Sequence, residues 1–170
     1  MPTELPYRLA MELNGLPLHP LVVHAAVILA PTAALASIGY AVLPGWRWLL
    51  RWPMVLLAAA SAGTVYVAKL SGDALLEDRF SGATGELSQK IQAHSDRGDL
   101  LVWIALGFFV ATLFAAQALG GPSGLVSGKG ARESSAVSLV ALVLVVAGAL
   151  ALVVMAFLTG DAGARAVWEQ

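Results

Sequence analysis

The 170-residue chain contains no cysteine. That absence excludes disulfides, iron–sulfur ligation, thiolate zinc sites and covalent attachment of a c-type haem. Charge is scarce too. Asp, Glu, Lys and Arg together make up 12% of residues, about half the share of a soluble domain. The basic residues form no run and are not interleaved with aromatics, so the footprint of a nucleic-acid-binding protein is missing. No glycine-rich nucleotide loop leads into a helix, and no serine sits in a nucleophile elbow, so independent catalytic activity is not expected. A basic n-region ahead of a short apolar stretch is also absent, which argues against a cleaved signal peptide.

What the chain has is apolar length. Hydrophobic residues make up 58% and mean hydropathy is +0.77. Four apolar runs lie near residues 21–43, 49–70, 100–119 and 136–158. Each is long enough, at about 1.5 Å per residue, to cross a hydrocarbon core of about 30 Å. Within them Arg51 and Lys69 are the only Asp, Glu, Lys or Arg residues, each close enough to an end to snorkel. The expected fold is all-α: one four-span membrane bundle, residues 1–170, with alanine, glycine and serine at the helix contacts.

The loops divide by charge. Residues 44–53 hold Arg47 and Arg51 with no acid, and residues 120–135 hold Lys129, Arg132 and Glu133. Residues 71–99 carry Asp73, Glu77, Asp78, Glu86, Asp96 and Asp99 against Arg79, Lys90 and Arg97. Basic short loops stay cytoplasmic, which puts both termini and residues 71–99 outside. Residues 3–13 have the pattern of a short interfacial helix, residues 82–85 mark a turn, and residues 120–130 read as a flexible linker. From Glu86 onward Leu87, Ile91, His94, Gly98, Leu101 and Ala105 recur at intervals of three and four. That spacing puts His94 on the inward face and turns Asp96 and Asp99 elsewhere.

All three histidines, with Asp73 and Asp161, then fall at the outer end. His24 lies inside an apolar helix, and an intramembrane ionisable group is by default a functional residue facing the bundle interior. Pro31 removes a backbone bond seven residues deeper. His19 is five residues from His24, about 140° around a helix, so the two do not share a metal as an i,i+4 pair would. Asp73 follows the second span and Asp161 the fourth.

Two chemistries suit this set. Imidazoles from facing helices are the usual axial ligands of a b-type haem in a bundle. A mixed imidazole–carboxylate site (His19, His94, Asp73, Asp161) would suit zinc or copper. Straight helices put His24 about 8 Å inside the boundary and His94 about 9 Å outside it, while His19, Asp73, Asp161 and His94 lie closer to one level.

Leu16-Pro-Leu-His-Pro-Leu-Val-Val-His-Ala-Ala-Val resembles the opening of the DUF2231 family of predicted bacterial membrane proteins. Ser71-Gly72, the His94 region and Thr159-Gly-Asp-Ala-Gly-Ala-Arg-Ala-Val-Trp168 are also similar to that family. Ala25-Ala26 stand where Phe-Pro often follows the second histidine. Relatives fused to Rieske or cytochrome c modules imply a respiratory or haem-linked role carried by His19, His24 and His94. The leading expectation is therefore haem b held by His24 and His94, with His19 as substitute or neighbour. It would serve electron transfer at the outer face of a bacterial plasma membrane, with redox or other membrane proteins as partners. The alternatives are a cofactor-free accessory subunit and an extracytoplasmic-face metal-binding protein.

Overall fold

The computed structural model of the chain describes residues 12–14, 16–119 and 136–168. A two-residue hairpin, β1 (Glu12–Leu13) and β2 (Leu16–Pro17), leads into four helices. These are α1 (Leu18–Val42), α2 (Arg47–Arg79), α3 (Gly85–Ala118) and α4 (Ala136–Trp168). All four are long and apolar enough to cross a membrane.

Local chemistry sets the boundaries. Pro20 lies in the first turn of α1, where its missing N–H has no helical partner to lose. Pro44 closes α1 by disfavouring helix at Leu43 and opens a single 3-10 turn, Pro44–Trp46. At the other end of α2, Phe80 and Ala83 tie a tight turn onto Leu76 and Phe80. Gly85, at φ +66°, then takes a left-handed conformation that other residues resist, and α3 begins.

α2, α3 and α4 hold 33, 34 and 33 residues, well beyond the ~20 that a bilayer needs. Their extra turns collect at one end, with the start of α1. The helical spacing of residues 86–105 holds as expected: His94, Leu101 and Ala105 face inward, while Asp96 and Asp99 are exposed. The polar residues 71–79, in contrast, continue α2 instead of leaving it. Ion pairs one turn apart, such as Lys69–Asp73, help to carry the helix past the apolar run. The interfacial helix over residues 3–13 lies outside the described residues except for Glu12 and Leu13, which are strand. The linker over residues 120–130 lies outside them altogether.

The core is built of small residues. Ala30, Ala33, Ala34, Ala58, Ala105, Ala141 and Ala149 are buried, with Tyr40, Met54, Phe108 and Leu152 filling the gaps. Large apolar side chains face outward instead: Leu35, Leu56, Trp103 and Phe157 are each at least 66% exposed. This inversion suits a lipid solvent, in which helices associate by close packing of small residues. Trp46, Trp48 and Trp52 are exposed around the end opposite the histidines, as an interfacial belt would be.

Candidate functional site

His19 enters the bundle from the second residue of α1. Its Nδ1 lies 2.8 Å from the backbone oxygen of Ala68 on α2. A carbonyl can only accept, so in the neutral imidazole Nδ1 carries the proton and Nε2 keeps its lone pair. Within a helix the Ala68 carbonyl already faces the N–H of residue 72. The imidazole can share it because residue 72 is glycine: a Cβ there would sit 3.0 Å from Cε1 of His19. Ser71, buried beside the ring, has its hydroxyl 3.5 Å from the same Nδ1.

His94 on α3 repeats the device against α4. Its Nδ1 donates to the Thr159 oxygen at 2.9 Å. Gly163, four residues on, would place a Cβ 2.9 Å from Cε1 of His94. Around this contact the Thr159 hydroxyl donates to the Arg97 carbonyl at 3.4 Å, and Arg97 Nη1 donates to the Leu158 carbonyl at 3.1 Å. Each hairpin, α1–α2 and α3–α4, thus sets one imidazole into the same notch, formed by a glycine and the carbonyl four residues before it.

The two notches face each other. The rings of His19 and His94 have centroids 6.1 Å apart and planes inclined at 79°. Among the described residues neither Nε2 has a hydrogen-bond partner. Gly72 and Gly163 form the two notches, and α1 buries no residue before Ala30.

His24 is placed differently from the expectation. It lies on an exposed face of α1, with Nδ1 bonded to the Pro20 carbonyl of its own helix at 2.5 Å. It does not meet His94 across the bundle; His19 does. The aspartates do not reach the imidazoles either. Asp73 pairs with Lys69, which also reaches Asp99 of α3 at 3.1 Å. Asp161 pairs with Arg165 at 2.9 Å. That hydrogen bond, beyond the membrane-spanning part of α4, holds the Asp161 carboxyl below the usual carboxylate range. Among the described residues no three His, Asp or Glu side chains gather as a metal site, so the four-residue zinc or copper set is not assembled.

A sequence signal for the paired notches exists. Leu70-Ser71-Gly72-Asp73-Ala74 and Leu158-Thr159-Gly160-Asp161-Ala162 are two copies of one pattern, each near the end of the second helix of a hairpin. The copies act one turn out of step. The first uses its own Gly72 as the notch, whereas the second supplies the Thr159 carbonyl and takes Gly163 from the next turn.

A family model described as a predicted membrane protein, DUF2231, matches residues 15–170. No curated protein and no solved structure matches the chain.

Proposed function

We propose, on the premise that the chain belongs to the DUF2231 family of predicted membrane proteins, that the bundle holds a b-type haem between His19 and His94. Its role would be electron transfer near the outer face of a bacterial plasma membrane, in contact with redox partners there. The observation that carries this reading is the imidazole pair itself. His19 and His94 come from opposite hairpins with ring centroids 6.1 Å apart, so they are the two side chains that would hold the group. Both also have the tautomer that ligation needs, with Nδ1–H spent on a carbonyl and Nε2 bare.

When bound, the haem would supply reversible one-electron exchange. The chain's own residues would do the rest. The Ala68 and Thr159 carbonyls orient the rings and raise their basicity, and Gly72 and Gly163 admit them. Lys69, bridging Asp73 and Asp99, ties α2 to α3 and so keeps the two hairpins in register.

Absorbance spectra of the detergent-purified protein, oxidised and dithionite-reduced, test this. Wild type and His24→Ala should both show a Soret band with reduced α and β bands, and His19→Ala and His94→Ala should each lose it. Full absorbance in either of the last two would refute the assignment.

A further inference from the structure

Eighteen residues make about five full turns of an α-helix, so side chains that far apart point the same way. Eighteen residues along α1 from His19 stands Ser37, and eighteen along α3 from His94 stands Thr112. Both helices start at the histidine end and are continuous over the interval. Ser37 and Thr112 therefore face each other across the bundle as the imidazoles do, about 27 Å deeper. Both are 0% exposed. One turn further on the same register recurs: Tyr40 of α1 donates its hydroxyl to the Ala115 carbonyl of α3 at 3.4 Å. It takes the length of a tyrosine to close that distance, and two short hydroxyl side chains do not close it. The Thr112 hydroxyl donates instead to the Phe109 carbonyl of its own helix at 2.7 Å. With their protons spent, the Thr112 and Tyr40 oxygens can still accept. Ser37 differs. Among the described residues its hydroxyl has no hydrogen-bond partner, not even the carbonyl one turn back that a buried helical serine ordinarily uses. A hydroxyl left unpaired in the interior is costly.

We infer that Ser37, Thr112 and Tyr40 bind one water molecule in the core of the bundle, in the half opposite the histidines. The donors and acceptors match. Water accepts the Ser37 proton and donates its own two to the Thr112 and Tyr40 oxygens, which makes the three bonds usual for a buried water. Tyr40 is three residues from Ser37 on the same face, and long helical side chains lean back toward the helix start, which brings its hydroxyl toward the level of Ser37. A metal cation does not suit the place. No acid occurs in residues 18–72, 100–118 or 136–160, so its charge would be buried without compensation. The water ties α1 to α3, and so one hairpin to the other, at the end away from the Lys69 bridge. It is independent of whatever His19 and His94 hold.

Two measurements on the full chain test this. In solid-state NMR of the 13C-labelled protein in phosphatidylcholine vesicles, magnetisation that starts on water protons should reach Cβ of Ser37 and of Thr112. The methyl groups of Ala33 and Ala141, buried at apolar positions, should stay dark. No transfer to Ser37 would overturn the site. Equal transfer to the two alanines would overturn it too, since the core would then be hydrated generally. The second measurement is a thermal melt in detergent. Ser37→Ala and the equally shaped Thr112→Val should each lower Tm by about 2–4 °C, the worth of one hydrogen bond in a chain of this size. The double variant should lose less than the two together, because both changes release the same water. An unpartnered Ser37 hydroxyl predicts the opposite sign. Its removal would leave Tm unchanged or raise it, and that result would sink the proposal.

Discussion

At the scale of single residues, the site depends on two glycines more than on any charged group. A Cβ on residue 163 would meet His94 at 2.9 Å, whereas the neighbouring Gly160 has open space around it. The two positions make a matched pair, since both are helical glycines in the same turn region of α4. Alanine raises helix propensity at either site by up to about 1 kcal/mol. At 160 that is the whole effect, so Gly160→Ala should be neutral or slightly stabilising. At 163 the methyl group must push the imidazole off the Thr159 carbonyl. Loss of the partner that orients a ligating histidine costs about 10- to 100-fold in affinity. If the pair holds haem as proposed, Gly163→Ala should therefore weaken haem retention by about 10-fold or more while the helix content stays unchanged. Titration of haem into the apo-protein, followed at the Soret band, checks this against Gly160→Ala. Equal retention by both variants would mean that the notch does not position His94.

At the scale of elements, the helices end on specific bonds. α1 stops facing a proline, and its last carbonyls have no helical partner. Arg47, the first residue of α2, folds back on them: Nε donates to the Tyr40 carbonyl and Nη2 to the Ala41 carbonyl, each at 3.0 Å. Its guanidinium also lies 5.7 Å from the centre of the Tyr40 ring. Removing a charged donor from half-buried carbonyls costs about 2 kcal/mol, which for a chain of this size lowers Tm by about 4–8 °C. Arg47→Ala should show that loss in a thermal melt in detergent. Arg47→Lys should recover only part of it, because an ammonium cannot fork between two carbonyls. The elements themselves were legible from sequence because four apolar runs permit little besides helices in lipid. What escaped was rotation about each axis. α3 could be oriented, since its apolar stripe continues into a polar segment and carries His94 with it. α1 is apolar all round, so nothing in its pattern says which side faces the bundle. His24 was therefore expected inside on cost alone. The structure offers a cheaper solution, a hydrogen bond to Pro20 of its own helix. His19, at the helix start, was the less conspicuous residue, and its pairing required knowing that Gly72 opens a carbonyl on α2.

At the scale of the whole molecule, the bundle is polar in the sense of having two unlike ends. One end gathers His19, Lys69, Asp73, His94, Arg97, Asp99, Asp161 and Arg165, and its ion pairs close acids and bases onto each other. The other end carries Arg47 and Arg51 with the exposed Trp46, Trp48 and Trp52, and no acid between residues 44 and 53. Arginine in a short connection is what membrane insertion retains on the cytoplasmic side, and acids contribute little to that choice. The arginine end should therefore be cytoplasmic and the histidine end extracytoplasmic. Because the chain has no cysteine, a single introduced thiol reports sidedness without background. Ser81→Cys places it in the exposed turn between α2 and α3, and Gly45→Cys in the exposed turn between α1 and α2. In intact cells a membrane-impermeant maleimide should label residue 81 at once and residue 45 only after permeabilisation. The reverse pattern would put the imidazole pair at the cytoplasmic face, and any redox partner with it. A soluble partner could then be sought only in the compartment that this labelling identifies.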